Sequence, residues 1–183
     1  MFTGIVQKSS IESISKNQVC IKKPKFKIKL GDSININGIC STVEKITKNY
    51  FCVSYMEETL KLTTAKNWKI KDDINIEKSL TLNDLVGGHL VSGHIDCTGI
   101  IKNITKNQNS LILKIDYPKI YKKYIIKKGS ISINGVSLTI IDDLSVSLVE
   151  HTIKNTNLKN LKKGSRVNLE FDLIAKYLAK LNA

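Results

Sequence analysis

The chain has 183 residues, a formal net charge of +13, 42% hydrophobic residues, 6% aromatic residues and two prolines. This composition excludes a disordered chain and a Pro-rich linker, and the length suffices for one large domain or two small ones. Neither a signal-peptide pattern nor a stretch of about 18 apolar residues occurs, so the sequence predicts a cytoplasmic protein without membrane association.

The basic charge could indicate a nucleic-acid partner, since lysine- and arginine-rich surfaces attract phosphate backbones. Arg166 is, however, the only arginine, and the lysines are scattered through strand-like segments. Arginine is the usual reader of guanine and phosphate. We therefore interpret the charge as a solvated lysine surface and predict no nucleic-acid partner.

The four cysteines, Cys20, Cys40, Cys52 and Cys97, show no C-x-x-C spacing. A chain long enough to bury its own core has little need of disulfides. The sequence therefore predicts free thiols.

The first half of the chain favours short β-strands. "SININGICSTV" at 33–43 alternates apolar and polar residues until Asn37-Gly38, a dipeptide that tolerates the positive φ angles of a tight turn. "YFCVSY" at 50–55 is equally short and is flanked by lysine- and asparagine-rich connectors. Several such strands at this spacing predict a small closed barrel.

The next segment, "GGHLVSGHID" at 87–96, contains His89 and His94 and is followed by Cys97. His and Cys are common zinc ligands. On a strand, however, positions 89 and 94 point to opposite faces, as do 94 and 97, so the spacing argues against a metal site. Each histidine is then either a structural residue or a site residue, and the sequence leaves both possibilities open.

The second half repeats the first in the same order. "SISINGVSLTI" at 130–140 matches 33–43, "EHTIKNTNLKNLKKGSRVNLE" at 150–170 matches 57–77, and "TGIIKNITKN" at 98–107 resembles "TGIVQKSSIESISKN" at 3–17. Two copies at a spacing near 95 are too few and too long for a solenoid. The repeat predicts two homologous domains, 1–89 and 90–183.

Cys40 and Ser137 occupy the same slot in the two copies, and Thr42 and Thr139 follow two positions later. Residues two apart on a strand share a face, so each copy would present a pair of hydroxyl or thiol groups to one side. These residues are either half-buried strand positions or functional groups. Their recurrence in register supports a functional role as much as a structural one.

The tail predicts the one helix of the chain, at about 172–183. Asp172 is a good N-cap residue. The apolar face comprises Leu173, Ile174, Tyr177, Leu178 and Leu181. An apolar face left over after the barrels close is a candidate oligomer contact.

Six ordered motifs, "MFTGIV", "NGICST", "GGHLVSGHID", "KGSISINGVSLT", "EHTIKNTNL" and "VNLEFDLIAKYL", cover nearly the whole chain. Together with the duplication they resemble the riboflavin synthase family of the alpha type. The resemblance implies an all-β fold of two similar six-stranded Greek-key barrels plus a C-terminal α-helix, through which three chains form a homotrimer.

The activity that the resemblance implies is the dismutation of two molecules of 6,7-dimethyl-8-ribityllumazine. One molecule gives a four-carbon unit to the other, yielding riboflavin and 5-amino-6-(ribitylamino)pyrimidinedione. No cofactor and no metal are implied, because the ring itself stabilises the anion formed when its C7 methyl group loses a proton. The two pockets would lie between the N-terminal barrel of one subunit and the C-terminal barrel of its neighbour.

The resemblance also implies substrate contacts. The first pocket would use Gly4, Ile5, Val6, Cys40, Ser41, Thr42, Ser54, Tyr55, Met56, Glu57, Glu58 and Thr59, with Gly93, His94 and Ile95 completing it. The second pocket would use Lys128, Ser137, Leu138, Thr139, Ser147, Leu148, Val149, Glu150, His151 and Thr152.

The catalytic roles are hypotheses. Ser137, Cys40 and His94 would assist proton transfer or addition at the ring. Lys128 would hold a polar ring or ribityl oxygen, and Asp172 would position Lys128 or a ribityl hydroxyl. A Ser-His-Asp arrangement around Ser137 has no support in the sequence positions.

Ser41 stands where the family usually has leucine, as the second copy does at Leu138. This substitution would make the first pocket slightly more polar.

Two other functions remain as alternatives: a non-catalytic lumazine or flavin carrier of the same fold, and a nucleic-acid-binding barrel. Carriers typically keep one working pocket, whereas both signature strands are intact here. The sequence leaves open which pocket holds donor and which acceptor, and whether the chain associates with lumazine synthase.

Overall fold

The computed structural model describes residues 1–107 and 110–181. The first half contains β1 (Gln7–Ser15), β2 (Gln18–Lys22), β3 (Ser33–Ile36), β4 (Ile39–Thr42), β5 (Lys45–Ile46), β6 (Tyr50–Ser54), α1 (Glu57–Leu62) and β7 (Asp73–Lys78). The second half contains β8 (Cys97–Asn107), β9 (Ser110–Asp116), β10 (Ser130–Ile133), β11 (Val136–Asp142), β12 (Ser145–Val149), α2 (Glu150–Asn155), β13 (Arg166–Phe171) and α3 (Leu173–Leu181).

The second half forms a closed antiparallel barrel of six strands in the order β10-β11-β12-β9-β8-β13. β9 pairs with β12 rather than with the next strand, and β13 returns between β8 and β10. This connectivity is that of a Greek key. The all-β barrel prediction is confirmed for this half.

The first half forms a sheet in the order β4-β3-β7-β1-β2-β6-β5. β4 and β5 together occupy the place of β11, and the two residues between them continue the pairing on both sides. The Val43 N–H donates to the Asp32 carbonyl, and the Glu44 N–H donates to the Cys52 carbonyl. The first half is therefore the same six-stranded barrel with one strand in two pieces.

Each barrel has its own apolar core, built from the inward positions of alternating strands. Ile34 and Ile36 in the first barrel match Ile131 and Ile133 in the second, and all four are fully buried. The Asn-Gly turns that follow have the predicted positive φ angles, with Gly38 at 88° and the matching Gly135 at 80°.

The barrels meet back to back at these two turns, around a cluster of buried asparagines. The Asn75 side chain donates to the Asn134 carbonyl, and the Asn168 side chain donates to the Asn37 carbonyl. Because each amide belongs to one half and each carbonyl to the other, the contact has approximate twofold symmetry. Satisfied buried amides fix the relative position of the two barrels.

α3 begins as predicted, because Asp172 Oδ1 accepts a hydrogen bond of 2.8 Å from the Ile174 N–H. Residues 182 and 183 of the predicted helix lie outside the described part of the chain. Lys176 forms an ion pair with Asp96, which fastens α3 to the second barrel. Ile174, Tyr177 and Leu178 on the predicted apolar face are exposed in this single chain.

α1 and α2 are helices that the sequence reading did not predict. Both are six residues long and occupy matching positions after β6 and β12. Glu57 and Lys61 in α1, like Glu150 and Lys154 in α2, form ion pairs four residues apart. Their short length hides the helical period in the sequence.

The prediction of free thiols is wrong for Cys20 and Cys52, which form a disulfide. β2 and β6 pair in a register that places the two residues directly opposite each other, with Cα atoms 4.0 Å apart. A separation of 32 residues in the sequence gives no sign of this neighbourhood. Cys40 and Cys97 are free, as predicted.

Candidate functional site

Ser137 and Thr139 on β11 open into a cavity of about 510 Å³ on the outer face of the second barrel. Ser147 and Thr152 line the same cavity, and Lys128 lies at its edge. Alternate residues of β11 share this face, while the intervening Leu138 and Ile140 pack inside the barrel. The structure thus brings together residues that the sequence analysis assigned to the second pocket.

Ser137 has a partner that the sequence analysis did not choose. Its Oγ lies 2.7 Å from Nδ1 of His89. Burial lowers the pKa of His89, and the negative charge of Asp172 partly opposes this shift. A serine, an imidazole and a nearby carboxylate therefore lie together, an arrangement that the sequence positions did not indicate.

Gly4 was predicted to belong to the first pocket. It lies instead against the second signature strand. Its carbonyl accepts a hydrogen bond of 3.0 Å from the Ser137 N–H. A Cβ atom at Gly4 would come within 2.5 Å of the Ser137 Cβ, and the φ angle of 79° also favours glycine. Any side chain here would displace Ser137.

Glu77 holds this close approach in place. Its carboxylate accepts hydrogen bonds from the backbone N–H groups of Thr3 and Gly4 and from the Thr3 hydroxyl. Burial raises the pKa of Glu77, while these hydrogen bonds act in the opposite direction.

The first signature strand has the same arrangement with the halves exchanged. The Gly93 carbonyl accepts a hydrogen bond of 2.8 Å from the Cys40 N–H. Glu170 accepts hydrogen bonds from the Ser92 N–H, the Ser92 hydroxyl and the Gly93 N–H. Burial raises the pKa of Glu170 as well. Gly93 therefore lies against Cys40, and its role in substrate binding stays a prediction.

These contacts also correct the repeat alignment. Thr3-Gly4 is equivalent to Ser92-Gly93, because each pair is held by the matching glutamate of its own half. The sequence analysis paired Thr3-Gly4 with Thr98-Gly99, which lies within β8. Shared letters in a short, degenerate motif misled that alignment.

The apolar residues next to the glycines are exchanged in the same way. Val6 packs against the core of the second barrel, and Ile95 packs into the core of the first. Val6, which was predicted to share the first pocket with Cys40, therefore lies on the other barrel. Ile95 lies on the first barrel, as expected for that pocket, but its side chain faces the barrel interior.

In the first pocket, Cys40 is half-buried and Thr42 is exposed on the same face of β4. The Ser54 hydroxyl donates a hydrogen bond of 2.6 Å to the carboxylate of Glu44. Glu44 is two residues beyond Thr42. It occupies the position in the first barrel that Ile141 occupies in the second, where Ile141 lines the cavity. Sequence analysis missed this acidic residue.

Ser41 does not add polarity to the first pocket, because its side chain points into the barrel and is 3% exposed. Its hydroxyl lies 2.9 Å from the hydroxyl of Tyr55, which is also buried. The matching residues of the second barrel are Leu138 and Leu148. The expectations of a pocket role for the side chains of Ser41 and Tyr55 are wrong, since the pair replaces two core leucines.

The other predicted residues are distributed as follows. Ile5, Met56, Glu57, Glu58, His94, Val149, Glu150 and His151 are exposed; Thr59 is half-buried; Leu148 is fully buried in the second core. None of these exposed residues lines the cavity of Ser137, and His151 lines a separate cavity together with Val6 and Lys154.

His89, Glu77 and Glu170 are functional candidates that the sequence analysis did not select. His89 was left open between structural and site roles, and its contact with Ser137 makes it a site candidate. Glu77 and Glu170 are the last matched residues of the repeat. Identical acidic residues at matched strand ends were the available signal.

Within the described ranges, no group of three His, Cys, Asp or Glu side chains could hold a metal ion. No helix among those residues is both long and apolar enough to cross a membrane.

Comparison with known proteins identifies the family. The lumazine binding domain family matches the chain twice, at residues 3–79 and 92–172. Riboflavin synthase of Actinobacillus pleuropneumoniae is 43% identical over 97% of this chain and 88% of its own. Riboflavin synthase of Bacillus subtilis is 40% identical with the same coverage.

Solved structures agree. The crystal structure of LumP complexed with riboflavin superposes with a TM-score of 0.84 and 30% identity, covering 93% of this chain and 99% of LumP. The complex of LumP with 6,7-dimethyl-8-(1'-D-ribityl) lumazine gives a TM-score of 0.81 at the same identity.

Proposed function

We propose that this chain, which belongs to the riboflavin synthase family, converts two molecules of 6,7-dimethyl-8-ribityllumazine into riboflavin and 5-amino-6-(ribitylamino)pyrimidinedione. It is a transferase of riboflavin biosynthesis. One observation carries the proposal: Cys40 and Ser137 stand in matched slots, and each receives the same glycine carbonyl contact from the opposite half. A reaction that needs two copies of one substrate fits two pockets built to one plan.

Ser137 and His89 serve proton transfer in the second pocket. The C7 methyl group of the lumazine bound there loses a proton to the Ser137–His89 pair, which leaves the ring as an anion. The hydroxyl and imidazole are within hydrogen-bond distance, and burial keeps His89 neutral enough to accept the proton. Lys128 holds an oxygen of the same ring, and Asp172 acts on His89 through its charge.

Cys40 and His94 serve the other lumazine, which is attacked by that anion. As the methylene carbon of the anion bonds to an electron-poor carbon of this ring, the electron pair of the attacked C=N bond moves onto the ring nitrogen, and Cys40 or His94 donates the proton that neutralises it. The unlike residues at one slot thereby separate the two roles. Orientation of two rings against each other contributes the remaining acceleration, since well-oriented reactants avoid much of the entropic barrier.

We further propose two domains, 1–89 and 90–183, in which each domain presents one pocket and lends its glycine segment to the other. The exposed apolar residues of α3 support assembly of a homotrimer through this helix. A location in the cytoplasm agrees with a biosynthetic role that uses soluble substrates.

A carrier of lumazine or flavin is the second candidate, since the chain superposes well on LumP with bound riboflavin. Conversion rather than storage is favoured here because both pockets keep their glycine contact, their glutamate and their hydroxyl or thiol group. A carrier requires only one such pocket.

The experiment is to mix the full chain with 6,7-dimethyl-8-ribityllumazine, without added metal or cofactor, and to record absorbance spectra over time. We expect one riboflavin for every two lumazines consumed. Tight binding of lumazine without riboflavin formation would overturn the enzyme and support the carrier.

A further inference from the structure

The two signature strands differ in the charged residues at their rims. The backbone hydrogen bonds align their rims: the Gly31 N–H donates to the Val43 carbonyl, and the Lys128 N–H donates to the Ile140 carbonyl. Gly31 in the first barrel is therefore equivalent to Lys128 in the second.

The acidic side of this difference is Glu44. The same alignment makes Glu44 equivalent to Ile141, which lines the second cavity. The Glu44 carboxylate is fixed by the hydroxyl of Ser54, and the equivalent of Ser54 is Ser147, another residue of that cavity. A carboxylate in one pocket thus replaces a hydrocarbon side chain in the other.

Neighbouring slots extend the contrast. Lys127 and Lys128 on the second rim replace Leu30 and the glycine at 31 on the first. The first rim thus carries the carboxylate of Glu44, and the second carries the ammonium groups of Lys127 and Lys128. The carboxylate of Asp172 also lies near the second pocket, where its charge acts on His89.

Two adjacent slots have the opposite sense: Lys29 is matched by Ile126, and Lys45 is matched by Asp142. Asp142 lines a separate cavity together with Lys102 and Lys114, and not the cavity of Ser137. Ile126 does not line the cavity of Ser137 either, so the second-half residue of each of these two slots lies outside that cavity.

We propose that Glu44 is a specificity-determining residue that keeps the lumazine in the first pocket neutral, so that the anion forms in the second pocket beside Lys128. The inference rests on the proposed function and deepens it. Loss of the C7-methyl proton gives the ring a negative charge, which a nearby carboxylate disfavours and an ammonium group favours. The neutral ring in the first pocket then stays electrophilic.

The size of the effect follows from Coulomb's law. A unit charge about 7 Å from the ring, in a medium of effective dielectric constant about 30, changes the ionisation equilibrium about tenfold. The effect should decrease with added salt, because both rims are exposed to solvent.

The test is exchange of the C7-methyl hydrogens of 6,7-dimethyl-8-ribityllumazine with D2O, followed by proton NMR, with riboflavin measured in the same samples. Ile141→Glu places the missing carboxylate in the second pocket, and Ile141→Gln is the matched neutral control. Ile141 is 40% exposed, so both side chains can be accommodated.

We expect Ile141→Glu to slow exchange about tenfold relative to Ile141→Gln. Glu44→Gln should not slow exchange, since it removes a barrier to ionisation in the first pocket. Lys128→Met, at an exposed position, is a second variant and should also slow exchange.

Slower exchange in Glu44→Gln, or equal exchange in Ile141→Glu and Ile141→Gln, would overturn the inference while riboflavin formation by the wild type leaves the proposed function intact. A wild type that exchanges the methyl hydrogens but makes no riboflavin would instead overturn the proposed function, and the variants would still decide the charge assignment. A wild type that does neither would overturn both.

Discussion

The two barrels share a backbone plan but differ in the side chains that face inward and outward. Both keep an Asn-Gly turn, a buried glutamate at the last strand and a glycine borrowed from the other half. In the first core, however, Ser41, Tyr55 and Trp68 replace three leucines of the second. The comparison shows that residues holding the backbone in an unusual position are retained in both copies, whereas core side chains that can repack together diverge.

The core replacement is compensated within the first barrel. Serine is smaller than leucine, whereas tyrosine and tryptophan are larger, so the three side chains together fill a volume similar to that of three leucines. The hydroxyls satisfy each other, and the rings of Tyr55 and Trp68 meet edge to face with centroids 5.9 Å apart. Burial raises the pKa of Tyr55 well above its usual range, with the hydrogen bond to Ser41 acting in the opposite direction.

The largest expected effect separates the two signature residues. Ser137→Ala removes the hydroxyl that contacts His89, and we expect turnover to fall about 100-fold with little change in lumazine affinity. Cys40→Ser keeps a polar group in the matched slot and should cost about tenfold. Equal losses in the two variants, measured as riboflavin formation under saturating lumazine, would contradict the division of roles.

The buried glutamates should be equivalent in the two halves. Glu77→Ala and Glu170→Ala each leave two backbone N–H groups and one hydroxyl without their acceptor. We expect each to lower the free energy of unfolding by about 3 kcal/mol, measured by urea denaturation.

The corresponding glutamine variants are the control for this comparison, since an amide keeps one acceptor oxygen. They should lose less stability than the alanine variants. A loss under about 1 kcal/mol for either alanine variant would show that water replaces the carboxylate.

Substitutions at Ser41 and Tyr55 test whether the first barrel can accept the two leucines that the second barrel has at these positions. Ser41→Leu alone overpacks the site, and Tyr55→Leu alone leaves a cavity; each should destabilise by about 2 kcal/mol. The double variant should lose less than the sum by about 1 kcal/mol or more. Additive losses in urea denaturation would mean that the two positions are independent.

The smallest effect concerns pH. Burial lowers the pKa of His89 and Asp172 opposes this, so Asp172→Asn should lower the pKa further. The acidic limb of the profile of kcat/KM against pH should then shift to lower pH, because His89 stays neutral over a wider range. A shift to higher pH would contradict the contact between the charge and the imidazole.

His89 should also make the folded state less stable at acidic pH. A histidine whose pKa is lower in the folded state stabilises the fold above its unfolded pKa of about 6.5, and this contribution is lost as pH falls through the lower folded value. The unfolding free energy of the wild type should therefore decrease in that acidic window, and less so in His89→Gln.

Much of the fold could be predicted from the sequence, because alternation and turns are local properties. The duplication, the Asn-Gly turns at 37–38 and 134–135, and the helix after Asp172 depend on residues close together in the chain. The family resemblance added the barrel topology, which no local pattern contains. The short α1 and α2 were missed because six residues hold less than two turns of periodicity.

The sequence by itself determined that two similar units exist and that Cys40 and Ser137 occupy one slot, since repetition is read directly from the letters. Only the tertiary structure decided that Gly4 contacts Ser137, that His89 is the partner of Ser137, and that Cys20 meets Cys52. These contacts join residues 32 to 133 positions apart. Their geometry depends on strand register and on how the barrels dock, and neither is encoded in any single segment.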